Sequence, residues 1–340
     1  MSNHFMGRTV LITGGTGSFG STFARSLLNE KVKQVRIFSR DEAKQDAMRN
    51  RLKEPKFQFI IGDVRDRLSV ESAMRDVDYV FHAAALKQVP ACEFFPMQAI
   101  HTNIEGSRNV IESAIKFQVK AIVCLSTDKA VYPINAMGMS KALMEKLALS
   151  YVRNENNENT RILLTRYGNV MMSTGSVIPT FLNQLRSGAP MTITNGKMTR
   201  FMMSLQESID LVKFAFVNGE AGDLFVKKAP AASMATLASA ISIMFNKHEY
   251  HPVEEIGIRH GEKMYETLLS SEEKMLARDW GSYFSVPLDT RTLDYQIYFE
   301  KGQNVALGEA YTSNSTLQLE PVEMVGLLEA LPELIEFLNK

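Results

Sequence analysis

Six short apolar runs punctuate the first half of the chain, over 9–13, 34–38, 57–61, 79–84, 121–126 and 161–166. They are continuously apolar rather than alternating, the pattern of strands buried on both faces of a parallel sheet. Between them, helical spacing of apolar positions predicts helices over 18–29, 41–51, 68–75, 97–117 and 138–153. Repeated strand-then-helix order predicts an α/β fold, a Rossmann-like doubly wound parallel sheet.

Beyond Asn169 the rhythm loosens. Helices are predicted over 176–187, 205–218, 235–245 and 262–269, with short strands over 191–194, 223–227 and 253–257. Ser204 and Glu207 have the spacing of a capping box. The polar run 154–160 predicts a surface loop, and 322–339 a closing helix. The expected organisation is a cofactor-binding domain over 1–170, with 205–230 packing back onto it. A smaller α/β substrate region spans 171–204 and 231–290, and a tail over 291–340 packs on the body or on a neighbouring subunit.

Composition narrows the classes. A chain of 340 residues suffices for roughly two domains, with a core that needs no disulfide or metal staple. Lys plus Arg and Asp plus Glu are 38 each, so the basic excess of a nucleic-acid binder is missing and any anion is met locally. Cys92 and Cys124 lack CxxC spacing and read as small buried residues in a reducing compartment. The histidines form no HExxH and no metal site is expected; His248 and His251 read as surface residues. No apolar run nears the about 18 residues of a membrane span, and residues 1–8 lack a signal-peptide apolar stretch. The expectation is a soluble cytoplasmic protein.

Thr13-Gly14-Gly15-Thr16-Gly17-Ser18-Phe19-Gly20 follows the first strand and opens a helix. Glycines allow the tight turn and a close approach to a pyrophosphate, and the helix N-terminus offers unpaired N–H groups. In this strand–turn–helix setting the motif predicts dinucleotide binding. The second strand ends Phe38-Ser39-Arg40-Asp41. Arg40, with Lys44 one helical turn later, suits a 2′-phosphate and favours NADP over NAD. Asp41 either faces the ribose or caps the next helix. Asp63-Val64 lies where an adenine edge would sit, or is a plain turn. Ala83, Ala84 and Ala85 let a strand end pass close to a cofactor, or pack tightly against a helix.

The fifth strand runs into Ser126-Thr127-Asp128-Lys129, then Met137-Gly138-Met139-Ser140-Lys141 enters a helix. A Ser or Thr at a strand end with a Lys in the next helix resembles the extended short-chain dehydrogenase/reductase superfamily. That family's Tyr-x-x-x-Lys frame implies a tyrosine at position 137, where this chain has Met137. Tyr132 is no substitute in register, because Ala136 stands four residues on. Asp128-Lys129 puts an acid and an amine side by side, the pair that elimination of water needs; its place at a strand's carboxyl end favours this over the alternative, a solvated charged turn.

The match is closer to the inverting UDP-N-acetylglucosamine 4,6-dehydratases, most similar to the capsular and O-antigen subgroup leading to N-acetyl-L-fucosamine. It rests on the motifs above together with 62–66, 83–90, 125–141, 165–170, 198–201 and 258–263, with a weaker echo at 311–315. The Met-for-Tyr exchange recurs in that subgroup. The resemblance implies that Asp128 protonates the departing C6 hydroxyl, Lys129 removes the C5 proton, and Lys141 holds the nicotinamide ribose. Lys87 would lie near nicotinamide and sugar, and Tyr167 and Val170 beside the cofactor. Asn169, Val177, Thr194, Arg200, Arg259 and Glu262 would bind UDP-N-acetylglucosamine. The resemblance further implies a homo-oligomer, a hexamer; the balanced charge and the short apolar runs predict no nucleic-acid or membrane partner. The C4 hydroxyl proton has no tyrosine to accept it; Thr127, Lys129 or an ordered water are the candidates. Thr174 stands where the family carries arginine. A UDP-hexose 4-epimerase and a non-catalytic NADP-binding protein are the competing readings.

Overall fold

The computed structural model describes residues 4–153, 157, 159–173, 175–246, 251–289 and 308–338. The six apolar runs form β1 (Thr9–Thr13), β2 (Gln34–Ser39), β3 (Phe57–Ile61), β4 (Tyr79–His82), β5 (Ala121–Leu125) and β6 (Arg161–Arg166). They pair in parallel in the order β3-β2-β1-β4-β5-β6. Every residue of β1 and β5 is buried, as strands covered on both faces require. Leu224–Lys227 extends the sheet in parallel beyond β6. The antiparallel strands Tyr283–Val286 and Arg278–Asp279 complete nine strands among the described residues. β1 lies between β2 and β4, so the chain direction of the crossovers reverses there and opens a crevice at the strands' carboxyl ends. The fold is Rossmann-like.

Helices cover both faces of the sheet. Val110 and Ile111 of helix Gly106–Lys116 share a core with Met144 and Ala148 of helix Ala136–Val152. On the other face Phe23 and Leu27 of helix Ser18–Leu28 meet Leu211 and Phe216 of helix Leu205–Asn218. The Ser204–Glu207 capping box is present. A third core joins Phe181 and Leu182, Leu237 and Ile241, and Met324 and Leu328 of the tail. No helix among the described residues is long and apolar enough to cross a membrane.

Four expectations need correction. Residues 262–269 are not a helix: Gly257 and Gly261 take positive φ, and Thr267–Leu269 is a strand paired with Tyr311–Thr312. Residues 97–117 are not one regular helix: Pro96–Ala99 and Gly106–Lys116 flank a π-helical stretch, Ile100–Glu105. The closing helix is two, Pro321–Glu329 and Pro332–Leu338, because Pro332 lacks the N–H and the room to continue the first. His251 is buried and bonds the Ala189 carbonyl oxygen at 2.7 Å. Thr174, His248, Asn339 and part of the 154–160 run lie outside the described residues.

Phe216 sits at 5.5 Å from the Phe5 ring, edge-on, and stacks on Phe23 at 6.2 Å. It joins helix Leu205–Asn218 to helix Ser18–Leu28. Phe216→Ala is expected to cost about 3–5 kcal/mol of unfolding free energy, the usual range for a buried Phe, read by urea denaturation; a loss below about 1 kcal/mol would detach that helix from the core.

Candidate active site

At the crevice, β1 runs directly into the glycine turn. Helix Ser18–Leu28 begins with Gly17 at its N-cap and no side chain capping it, so its amide dipoles face the turn. Gly14 has φ +66°, and a Cβ there would lie 2.8 Å from the Ala84 nitrogen and 2.9 Å from the Ala83 carbonyl carbon. The turn is thus pressed onto the end of β4, leaving a cradle suited to a pyrophosphate. Thr16 and Ser39 hydroxyls, 2.9 Å apart, tie it to the end of β2. Beneath it His82 lies 2.7 Å from Thr13 Oγ1 and 2.8 Å from Ser107 Oγ, and Ser107 donates to the Asn103 carbonyl oxygen at 2.6 Å. Nε2–H of His82 is therefore the donor and Nδ1 the acceptor. Burial, with Lys141 nearby, pushes this histidine down to about 3, so it is neutral.

Asp41 caps helix Glu42–Leu52 by accepting from the Lys44 amide at 3.0 Å, and pairs with the Lys44 ammonium at 3.0 Å. Its carboxylate is engaged there. The Arg40 guanidinium is more than half exposed, 3.8 Å from Asp63. Asp63 accepts from the backbone and guanidinium of Arg65, the contacts of a turn. Val64 is buried in the core, and Ala83, Ala84 and Ala85 are half-buried in the loop after β4.

Beyond β5 the chain makes a short turn, Asp128–Ala130, with Thr127 at its N-cap. Thr127 Oγ1 donates to Asp128 Oδ1 at 2.8 Å, and Lys129 Nζ lies 3.1 Å from the same oxygen. The same ammonium lies 3.1 Å from Glu266 Oε1. Asp128 is 1% exposed and Glu266 2%. Asp128 Oδ2 and Glu266 Oε2 have no hydrogen-bond partner among the described residues. Burial pushes the Asp128 carboxyl above its ordinary range, against the pull of Lys129 and with the help of Glu266. Burial opposes the Lys129 charge, but the two carboxylates outweigh it and hold the ammonium above its ordinary value. Burial likewise opposes the Glu266 charge, and Lys129 and Arg200 overcome it, keeping that carboxyl low.

Lys141 Nζ donates to the Leu125 carbonyl oxygen at 2.7 Å, and burial pushes it down to about 8. Met137 packs with Cys92 and Ala99. Tyr132 is exposed at φ +46°, with its hydroxyl 3.4 Å from the Ser271 amide. Tyr167 stacks near Phe19, ring centres 4.4 Å apart, and its carbonyl oxygen accepts from the Asp128 amide at 3.1 Å. Burial lowers the proton affinity of Lys87, in the loop after β4.

A cavity of about 320 Å³ adjoins this cluster. Asn169, Val177, Thr194, Arg200, Arg259 and Glu262 line it, as does Val170; Lys87 and Thr127 do not. Glu262 Oε2 is buried there with no hydrogen-bond partner among the described residues. Arg200 belongs to both places, since its Nε is 3.8 Å from Glu266 Oε1. Glu266 is the site residue that the sequence reading missed. Its signal was an acid four residues after Glu262, hidden by the expected helix.

Gly14→Ala is expected to weaken dinucleotide binding, titrated with both NADH and NADPH, by at least about tenfold, since φ and the Ala84 backbone both oppose a Cβ; unchanged affinity by calorimetry would contradict the cradle. The folded protein releases the Lys141 proton near pH 8 and the unfolded chain near 10.5. Between these values the unfolded state binds more protons, so stability should rise with pH. Compared with Lys141→Met in urea titrations, cofactor-free wild type should gain over that interval; a pH-independent difference would contradict a buried ammonium.

Comparison with known proteins agrees with this architecture. The polysaccharide biosynthesis protein family model matches residues 10–287, and the polysaccharide biosynthesis protein C-terminal model matches 289–334. The chain is 53% identical over 329 residues to a UDP-glucose 4-epimerase of Rickettsia bellii (strain OSU 85-389), covering 95% of this chain and 96% of that protein. It is 52% identical over 340 residues to the Rickettsia akari (strain Hartford) protein of the same name, covering 98% and 99%. The crystal structure of Pen from Bacillus thuringiensis superposes with a TM-score of 0.88 at 36% identity, over 97% of this chain and 99% of that one. DesIV, a dTDP-glucose 4,6-dehydratase from Streptomyces venezuelae with NAD and TYD bound, shares the fold, with a TM-score of 0.68 at 21% identity over 75% and 86%. With residues 10–287 matched by the family model and 95% of its length matched by a relative at 53% identity, the chain belongs to the polysaccharide biosynthesis protein family.

Proposed function

We propose that the protein is an NADP-dependent UDP-N-acetylglucosamine 4,6-dehydratase that inverts C5. Its product would be UDP-2-acetamido-2,6-dideoxy-β-L-arabino-hex-4-ulose, first step toward a deoxy amino sugar such as UDP-N-acetyl-L-fucosamine for a surface polysaccharide. The observation that carries this reading is a buried carboxyl of raised proton affinity, Asp128, against the Lys129 ammonium beside an arginine-lined cavity. The sugar identity rests on the motif resemblance.

The turn through Gly14, Gly17 and Gly20 would hold the cofactor pyrophosphate, Arg40 its 2′-phosphate, and Lys141 its nicotinamide ribose. When bound, NADP supplies a reversible hydride acceptor, taking hydride from C4 and returning it to C6. Arg200 and Arg259 would fix the diphosphate by charge-assisted hydrogen bonds, with Glu262 accepting from a hydroxyl. Thr127 Oγ1 already donates to Asp128 Oδ1. It can take the C4 hydroxyl proton as its own passes to Asp128, which then gives that proton to the departing C6 oxygen. The proton lost at O4 leaves with the water, and Met137 has no part in the transfer. The C4 ketone acidifies the C5 proton, which Lys129 removes.

The name carried by the Rickettsia relatives favours a second reading, a UDP-glucose 4-epimerase. That reaction returns hydride to C4 and has no use for a leaving-group acid. Mass spectrometry after incubation with UDP-N-acetylglucosamine separates the two: loss of one water is expected, and an unchanged mass with altered C4 configuration would establish the epimerase instead. Asp128→Asn should slow dehydration by roughly 10²–10⁴-fold, the usual worth of a general acid; unchanged turnover would remove Asp128 from the chemistry.

A further inference from the structure

Lys129 begins as an ammonium, and an ammonium cannot remove a proton. Two carboxylates touch its Nζ, Asp128 and Glu266, each at 3.1 Å. In the proposed reaction Asp128 is committed to the proton that travels from O4 to O6. Glu266 remains. It comes from the bend just before strand Thr267–Leu269, and two hydrogen bonds between its backbone and Ser313 fix it. The Glu266 amide donates to Ser313 Oγ at 2.9 Å and the Ser313 amide donates to the Glu266 carbonyl oxygen at 2.8 Å. Its second oxygen, Oε2, is buried and has no hydrogen-bond partner among the described residues. A buried carboxylate with an unsatisfied oxygen is costly, and packing alone has no need of one.

We propose that Glu266 is a positioning residue that holds Lys129 Nζ toward the substrate and accepts its surplus ammonium proton, leaving a neutral amine to act at C5. The step balances: one N–H bond of Lys129 breaks and an O–H bond forms on Glu266, then the C5–H bond breaks and the N–H bond re-forms. A water on the opposite face then protonates C5, and the hydroxide it leaves takes the stored proton from Glu266 through solvent, so the Lys129 ammonium and the Glu266 carboxylate are both restored. This rests on the dehydratase reading and deepens it.

Arg200 gives the step a trigger. It lies 3.8 Å from Glu266 Oε1 and lines the cavity assigned to the nucleotide. In the free protein Arg200 and Lys129 keep Glu266 ionised. A diphosphate on Arg200 would neutralise its pull and raise the proton affinity of Glu266. The other groups that face the cluster are Asp128, Lys263, whose charge Glu266 and Asp128 both feel, and the Tyr167 phenol near Asp128. Nucleotide occupancy and the readiness of the base are then linked through one carboxylate.

The test compares wild type, Glu266→Gln and Glu266→Asp as full-length proteins with NADP and UDP-N-acetylglucosamine. Glutamine can accept an N–H but cannot take the proton. Its turnover near neutral pH should fall at least about 100-fold and climb as pH rises, because solvent then deprotonates Lys129, while UDP affinity stays within about threefold of wild type. Aspartate keeps a carboxyl, so its rate should fall less and keep the wild-type pH profile; it carries the test if the glutamine variant does not fold. Glutamine turnover within about threefold of wild type, a fall with the wild-type pH profile, or a steep pH climb in the aspartate variant would overturn the proposal. Should wild type yield no dehydrated product, the dehydratase reading fails by itself. The Lys129 titration followed by ¹³C NMR of [ε-¹³C]lysine-labelled protein then still reports on Glu266. A lower titration point in Glu266→Gln is expected, and an unmoved one would overturn the assignment.

Discussion

One ammonium between two buried carboxylates is the interaction on which the site depends. Ionised groups leave water at a cost of several kcal/mol each, repaid only by close partners. Asp128, Lys129 and Glu266 meet that condition together: Lys129 reaches both acids, and each acid is nearly sealed from solvent. The arrangement splits the two carboxyls. Burial raises the proton affinity of the Asp128 carboxylate, which fits it to take up and pass on a proton, and Lys129 and Arg200 keep Glu266 ionised. An acid and a latent base thus stand side by side at one strand end, the separation of proton affinities that acid–base chemistry at neutral pH requires.

The scaffold supplies these groups from distant parts of the chain. β5 delivers Thr127, Asp128 and Lys129 at its carboxyl end, and helix Ala136–Val152 sends Lys141 back to the Leu125 carbonyl of the same strand. The parallel sheet carries the glycine turn to the neighbouring crevice. Glu266 arrives from the C-terminal half, and Ser313 of the tail clasps its backbone while bonding Thr199, next to Arg200. The tail is therefore built into the walls of the site as well as into the third core.

Much of this was legible in the sequence. Continuous apolar runs mark the buried strands, because a parallel sheet leaves no polar face, and the glycine turn and Asp128-Lys129 stand out by their chemistry; the lining residues from Asn169 to Glu262 are reached only through the family resemblance. What stayed hidden depends on partners far along the chain. The stretch 262–269 has helix-like spacing, yet Thr267–Leu269 pairs with Tyr311–Thr312, which no local pattern registers. That error concealed Glu266. The π-helical turn at Ile100–Glu105 is likewise tertiary: it sets Asn103 against the Leu86 backbone and Ser140. His251 was misplaced because a histidine beside a proline in a polar segment carries no sign of the Ala189 carbonyl it bonds.

The most direct test of this chemistry is the reaction run in deuterium oxide with UDP-N-acetylglucosamine and followed by NMR. Removal and return of the C5 proton on opposite faces predicts a 4-keto product that has lost one water, carries deuterium at C5 and has the inverted C5 configuration. A product that keeps C6 oxygen and protium at C5, with only the C4 configuration changed, would contradict the roles given to Asp128 and Lys129.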